Sequence, residues 1–307
     1  MIHMKKRIPV NNVGNWSGIK MSDIKIGVVF PQTEIGNDPQ IIREFAQVAE
    51  GAGSTHLLAY DHVLGAHPDR EPRLWGPYTH ETAFHEPFVL FGYLAAVTSK
   101  MEIVTGVIIL PQRQTALVAK QAAEIDILSG GRLRLGVGTG WNYVEYDSLN
   151  EDFSNRGARE EEQIEVLRKL WKEPVVDYTG KWHRIDRAGL LPLPDREIPI
   201  WLGGFTEPAF RRAAKCADGF IFGNSSDSAI QALESIKKHL ESNQRSLADF
   251  GIEAMLDYGA GPEVWEQEIK AWQDAGATHL SVRTMNIGLA NPTDHIKAIE
   301  NFFKVIR

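Results

Sequence analysis

The sequence predicts a (β/α)8 barrel, and three observations carry that expectation. Eight apolar runs, near residues 25, 56, 103, 133, 200, 219, 252 and 279, alternate with stretches of helical period. Strands that alternate with helices form βαβ units around a parallel sheet. The stretch 102–141 shows one such unit in full, and the 307 residues accommodate the ~250 of a typical barrel with room for insertions.

In that central unit, Glu102–Leu110 is a nearly unbroken Val/Ile/Leu run, as expected of a strand buried on both faces. Pro111 to Thr115 is a polar break. Thr115–Leu128 then places Leu117, Val118, Ala122, Ile125 and Leu128 on one helical face. Gly130 and Gly131 end the helix, because glycine takes the left-handed conformation without penalty. Leu133–Val137 is the second strand, and it runs into Gly138-Thr139-Gly140-Trp141.

Upstream, Ile24–Phe30 is a strand, Ile41–Ala52 a helix and Thr55–Tyr60 a strand ending on Asp61-His62. A polar and aromatic segment, 63–85, precedes a helix at Glu86–Thr98. It is long for a plain connection, and such loops are usually functional or disordered. Downstream, 142–156 is polar. Arg159–Trp171 is a helix with Ile164, Leu167, Leu170 and Trp171 inward, and Val175–Ile185 is a hairpin around Thr179-Gly180-Lys181. Residues 142–198 form an insertion after the fourth strand, since they lack apolar residues for a core of their own, and with 63–85 they are expected to form the substrate pocket. Alternation then resumes with Ile200–Leu202, Pro208–Cys216, Gly219–Phe222, Ser228–Leu247, Ile252–Asp257, Glu263–Ala275, His279–Arg283 and Pro292–Ile306. Residues 1–22 read as a loose extension and 23–307 as one domain.

A net charge of −7 argues against nucleic acid as the main partner. Cys216 is the single cysteine, which excludes an intrachain disulfide and a cysteine-rich zinc site. No apolar run approaches the ~20 residues of a membrane span, and the first residues lack the apolar stretch of a secretory signal. The default expectation is a cytoplasmic protein. No His-x-His or His-Glu-x-x-His signals a metal, and no Gly-x-Ser-x-Gly elbow signals a serine hydrolase.

Barrels place their chemistry beyond the carboxyl ends of the strands, which marks three positions. Asp61-His62 ends strand two, where a histidine can move a proton near neutral pH; the plain reading is a loop-start Asp and a surface His. Gly138-Thr139-Gly140-Trp141 ends strand four, where the glycines serve turns and packing or admit a ligand. Gly203-Gly204-Phe205-Thr206 ends strand five before a helix. Its N–H groups and hydroxyl suit a phosphate, although Thr206 can also cap its own helix.

These residues also carry a family resemblance. Ile26-Gly27-Val28, Tyr60-Asp61-His62, Val104-Thr105-Gly106-Val107, Ala119-Lys120-Gln121, Ser129-Gly130-Gly131-Arg132, Leu135-Gly136-Val137-Gly138-Thr139-Gly140-Trp141 and Ile200-Trp201-Leu202-Gly203-Gly204 occur in order. The chain resembles the bacterial-luciferase-like flavin oxidoreductases and monooxygenases, most closely their deazaflavin-dependent branch, densely over 24–220 and loosely beyond. The resemblance implies a luciferase-like (β/α)8 barrel with a flavin-type cofactor at its carboxyl end. His62 is then the acid, base or hydrogen-bond partner beside the ring, and Asp61 lies next to the ring. A non-proline cis peptide at about Gly106–Val107 supports the ring's middle. Thr139, Gly140 and Trp141 line the cofactor; Gly204 and Thr206 approach its phosphate, with Gly203 in the same turn. One residue departs: sugar-phosphate dehydrogenases of the deazaflavin branch have a glutamate acid where Trp141 stands, so the resemblance does not extend to that chemistry.

The implied activity is hydride transfer with coenzyme F-420, the deazaflavin, on a small organic substrate. The alternative is a monooxygenase using molecular oxygen and reduced flavin mononucleotide (FMNH2), with the reduced cofactor taken from a flavin or deazaflavin reductase as partner. A 5-deazaflavin does not support monooxygenation, so the cofactor decides the reaction. A non-catalytic flavin-binding protein and a hydrolase or lyase on the same barrel are the readings from other classes. Family members are commonly homodimers.

Overall fold

The computed structural model describes residues 24–307; the extension expected at 1–22 lies outside the described residues. The strands are β1 (Lys25–Val29), β2 (His56–Ala59), β3 (Glu102–Thr105), β4 (Ile108–Ile109), β5 (Leu133–Gly138), β6 (Val176–Thr179), β7 (Arg184–Ala188), β8 (Ile200–Gly203), β9 (Gly219–Ile221), β10 (Gly251–Asp257) and β11 (His279–Arg283). The main sheet runs β3-β2-β1-β11-β10-β9-β8-β5-β4, and β3 pairs again with β5. That pairing closes a parallel barrel of eight staves, with β4 continuing the β3 stave. The eight runs expected from sequence are these staves.

The helices are α1 (Pro39–Gly51), α2 (Pro87–Val97), α3 (Thr115–Ser129), α4 (Tyr143–Ser148), α5 (Arg156–Lys172), α6 (Glu207–Cys216), α7 (Asp227–Ser242), α8 (Pro262–Ala275) and α9 (Pro292–Ile306). All but α4 form the outer ring, in the order α9-α1-α2-α3-α5-α6-α7-α8. Local sequence explains their ends. Asp38 accepts from the Gln40 N–H ahead of α1, with Pro39 in the first turn. Gly130, at φ +74°, ends α3.

Four expectations need correction. The run Glu102–Leu110 is not one strand: it breaks at Gly106, resumes as β4 and passes into a 3-10 turn over Leu110–Gln112. Leu117 and Leu128 point outward and are exposed, while α3 buries Val118, Ala119, Ala122, Ala123 and Ile125; small alanines bring the helix close to its neighbours and leave the large leucines outside. The helix expected over Ser228–Leu247 ends at Ser242. The insertion after the fourth stave divides into parts with different places. Residues 142–155 lie over the barrel mouth and include α4, a helix within the stretch that reads as polar in the sequence. α5 is the barrel's own fourth helix. The β6–β7 hairpin lies on the outer flank of α5, where the Glu162 carboxylate accepts from the N–H groups of Lys181, Trp182 and His183. Val176, Leu190 and Ile198 join the same apolar core as the barrel.

Inward-facing residues alternate along each stave, and they fill the barrel in layers. The lowest is charged. Glu253 accepts from Arg134 Nη1 at 2.6 Å and from Ser281 Oγ at 2.5 Å, and it meets His56 Nε2 at 2.9 Å. The Arg134 guanidinium also lies 4.1 Å from the Trp201 ring centroid. Gly219 and Gly251 face that indole, where a Cβ would sit 2.4 and 1.9 Å from it. Above lies an apolar layer of Val29, Leu58, Val104, Ile221, Met255 and Met285. The layer above that leaves the barrel open.

The charged layer predicts how stability depends on pH. Burial alone would raise the Glu253 carboxyl, but Arg134 and then His56 outweigh it and hold it well below 4.5. Burial, with Arg134, depresses His279 from 6.5 to about 2. Unfolding returns both groups to ordinary values, so the unfolded chain takes up protons and stability falls with pH. The loss begins below 6.5 through His279 and deepens below 4.5 through Glu253. Urea unfolding between about pH 7 and pH 4 checks this slope. Glu253→Gln leaves Arg134 buried against a neutral partner and should cost about 3–5 kcal/mol at neutral pH; a cost near zero would remove the layer's structural importance.

Candidate active site

At the carboxyl ends of the staves the barrel opens into a cavity of about 670 Å³. All ten residues expected from sequence line it: Asp61, His62, Gly106, Val107, Thr139, Gly140, Trp141, Gly203, Gly204 and Thr206. A groove of about 640 Å³ between α5 and α6, lined by Glu161, Glu165, Arg168 and Cys216, is comparable in size but lies away from the strand ends.

The cavity floor is built around Val107. The Gly106–Val107 peptide is cis, as the resemblance implies, and it separates β3 from β4. A Cβ on Gly138 would come 2.7 Å from Val107 Cγ2, and one on Gly203 would come 2.9 Å from its Cγ1. Both glycines serve the packing reading, because their missing side chains let Val107 seat between β5 and β8. Gly140, at φ +62°, turns the chain from β5 toward Trp141.

Asp61 is buried beside this floor. Its carboxylate accepts from the Ile109 N–H at 3.0 Å and from Arg113 Nη2 at 2.8 Å, so it anchors the chain just after the cis bond. Burial pushes its carboxyl above the ordinary value against the pull of Arg113.

His62 stands in an aromatic enclosure. Its ring centroid lies 4.9 Å from Phe84, 5.2 Å from Tyr78 and 5.5 Å from Trp141, each edge-on. Its Nδ1 lies 3.2 Å from both carboxylate oxygens of Glu145. Glu145 is almost fully buried and also accepts from the N–H groups of Val63 at 2.7 Å and Leu64 at 3.0 Å. A carboxylate held as an acceptor by two backbone donors fixes the tautomer of its histidine: Nδ1 carries the hydrogen, and Nε2 is the nitrogen available to a ligand. Glu145 was not legible as a site residue, because it sits on the short helix α4 in an acidic stretch. The one signal was an amphipathic Glu-Tyr pair, of which Tyr146 is also buried and donates to the Thr139 carbonyl at 2.7 Å.

The third part is the turn before α6. Thr206 precedes the first turn, yet its side chain makes no capping hydrogen bond, so the hydroxyl is spare and the capping reading is not realised. Gly204 stands at φ +155°. Arg156, at the start of α5, lines the cavity with its guanidinium 3.6 Å from the Phe153 ring centroid; Nη1 donates to the Phe153 carbonyl at 2.7 Å, and a buried Nε has no partner among the described residues. A glycine turn that admits close approach, a hydroxyl without a capping bond and a cation suit an anion. Arg156 and Arg283, both in the cavity wall, were not singled out from sequence, since a lone arginine carries no spacing signal.

The family model for luciferase-like monooxygenases matches residues 24–294. The chain belongs to this family. An uncharacterized protein of Mycobacterium tuberculosis is 31% identical over 261 residues, covering 82% of this chain and 88% of its own. The coenzyme F-420-dependent glucose-6-phosphate dehydrogenase of Mycobacterium avium is 27% identical, covering 84% and 76%. An FMNH2-dependent dimethylsulfone monooxygenase of Pseudomonas fluorescens is 29% identical, covering 70% of this chain and 56% of its own. Among solved structures, the coenzyme F-420-dependent tetrahydromethanopterin reductase of Methanopyrus kandleri superposes with a TM-score of 0.72 at 17% identity, covering 92% of this chain and 98% of its own. The luciferase-like family thus includes deazaflavin-dependent and reduced-flavin-dependent oxidoreductases. No helix among the described residues is long and apolar enough to cross a membrane.

The packing of Val107 yields a test. Gly138→Ala should destabilise the protein by about 1–3 kcal/mol through overpacking. Adding Val107→Ala should recover most of that loss in a double-mutant cycle read by thermal denaturation; additive losses would show that the two residues do not share this space.

Proposed function

We propose that this luciferase-like protein is an oxidoreductase that uses coenzyme F-420 for hydride transfer with a small organic substrate. The observation that carries the reading is one cavity with two differentiated ends. One end is the anion cradle of Gly203, Gly204, Thr206 and Arg156; the other is His62, oriented by Glu145 and walled by aromatic rings. The residues fit a phosphate-bearing flavin-type cofactor. Thr206 and Arg156 would hold its phosphate, with Gly203 and Gly204 letting the backbone approach. Val107, Gly106, Thr139, Gly140 and Trp141 would bound the ring region, and Asp61 keeps that floor in place.

Bound F-420 supplies the two-electron hydride exchange. The chain itself supplies proton handling. With Nδ1 committed to Glu145, His62 gives or takes a proton at Nε2, which suits a substrate oxygen that gains or loses a proton as hydride moves. Tyr78, Phe84 and Trp141 exclude water from that nitrogen. The second reading is an FMNH2-dependent monooxygenase, favoured by the monooxygenase relative; it requires a flavin reductase as partner, and the cavity would hold FMN by the same groups. A homodimer is also proposed. Val89 and Tyr93 of α2, with Leu117 and Leu128 of α3, form an exposed apolar face, and α2 carries no charged residue.

Absorbance titration of the purified protein with each cofactor separates the two readings: F-420 should bind at least tenfold more tightly than FMN, and the reverse order would favour the monooxygenase. His62→Ala should bind F-420 within a few-fold of wild type, since the cradle is elsewhere, while single-turnover reduction falls by ~10²–10⁴-fold. A wild-type rate in that variant would leave His62 as a wall residue.

A further inference from the structure

We propose that the substrate of this site carries an anionic oxygen, in the first instance a carboxylate, and that Arg283 binds it. This rests on the cavity being the cofactor and substrate site proposed above.

Arg283 is the last residue of β11. It faces inward, two positions beyond Ser281 and four beyond His279, both of which meet the charged layer. It therefore rises from the same face of the same stave into the open mouth, where it lines the cavity. Its charge is only partly satisfied. Nη2 donates to Asp257 Oδ2 at 3.3 Å, and the other Asp257 oxygen accepts from the Gly259 N–H at 2.9 Å. The Tyr60 hydroxyl is also hydrogen-bonded to Arg283, and it lies 3.1 Å from Met255 Sδ. Nε is buried and has no partner among the described residues. A buried guanidinium N–H left unpaired is costly, and such a group is kept where a ligand completes it.

Arg283 stands apart from the cradle. β11 and β8 are separated around the barrel by β10 and β9, so the phosphate end and Arg283 address different parts of the cavity's contents. It stands close to the proton-handling end instead. The Tyr78 ring is 5.2 Å from His62, and the same tyrosine, which burial pushes above its ordinary value, is held back by the positive charge of Arg283. His62, Tyr78 and Arg283 all line this one cavity. A molecule lying against Tyr78 can reach both. The thioether of Met255 and the ring of Tyr60 make the surroundings of Arg283 largely apolar, where a charge-assisted hydrogen bond to a planar carboxylate gains strength.

Benzoate and benzamide are matched probes that differ in charge and hardly in shape. Isothermal titration uses the full chain saturated with F-420 or FMN, whichever binds, or the bare chain if neither does. Failure of both cofactors would count against the proposed function while leaving this comparison intact. Benzoate should bind at least tenfold more tightly than benzamide. Arg283→Gln should erase that preference, Arg283→Lys should keep part of it, and Arg156→Gln should leave it in place. The proposal is overturned if benzoate binds no better than benzamide, if its preference survives Arg283→Gln, or if the preference is lost through Arg156→Gln instead. Should Arg283→Gln fail to fold, full wild-type preference in Arg283→Lys, where the planar fork is gone, also counts against it.

Discussion

The ion pair between Glu253 and Arg134, with His56 on its second side, is the interaction on which the rest of the barrel depends. It joins β10, β5 and β2 across an interior that no single side chain could span. Three charged or polar groups buried together are tolerated because Glu253 is bonded to both of the others, and its removal would strand them. By occupying the amino-terminal end with large, mutually bonded side chains, the layer lets the carboxyl-terminal end be lined by glycines. The cavity exists because the space below it is filled.

The site follows the same division of labour. Residues of the staves set a rigid floor: Val107 between Gly138 and Gly203, with Asp61 fastening the chain beyond the cis bond. Residues from connecting segments supply chemistry above it. Glu145 and Trp141 come from the segment after β5, Tyr78 and Phe84 from the loop after β2, and Arg156 from the start of α5. Glu145 is held from outside its own segment, by the Val63 and Leu64 amides. The positioning of His62 is therefore a contact between two loops fixed to adjacent regions of one rigid rim.

The sequence showed the staves because they are buried on both faces and read as continuous apolar runs. It showed the glycine and histidine positions because strand ends in a parallel barrel mark where chemistry occurs, and because a resemblance named residues at those ends. Three things were hidden. Glu145 faces His62 only through a helical turn inside a polar stretch, and no spacing links positions 62 and 145. The outward leucines of α3 look like core from periodicity alone; alanines on the opposite side decide the matter by how close they let the helix come. Arg283 is one more basic residue at the end of a strand, and its significance lies in an Nε without a partner, which only coordinates reveal.

The β6–β7 hairpin has a consequence of another kind. One carboxylate, Glu162, gathers its tip by accepting three consecutive amides, and its strands run along the outside of α5, clear of the mouth. The hairpin is held by this clasp, by His183 against Thr115 Oγ1 and by Val176 in the shared core. Its turn at Thr179-Gly180-Lys181 carries one of those amides, so a tag, tether or reporter domain spliced there must leave the Lys181 N–H on Glu162. Reprogramming of this scaffold can keep cargo on the flank and confine redesign to the rim.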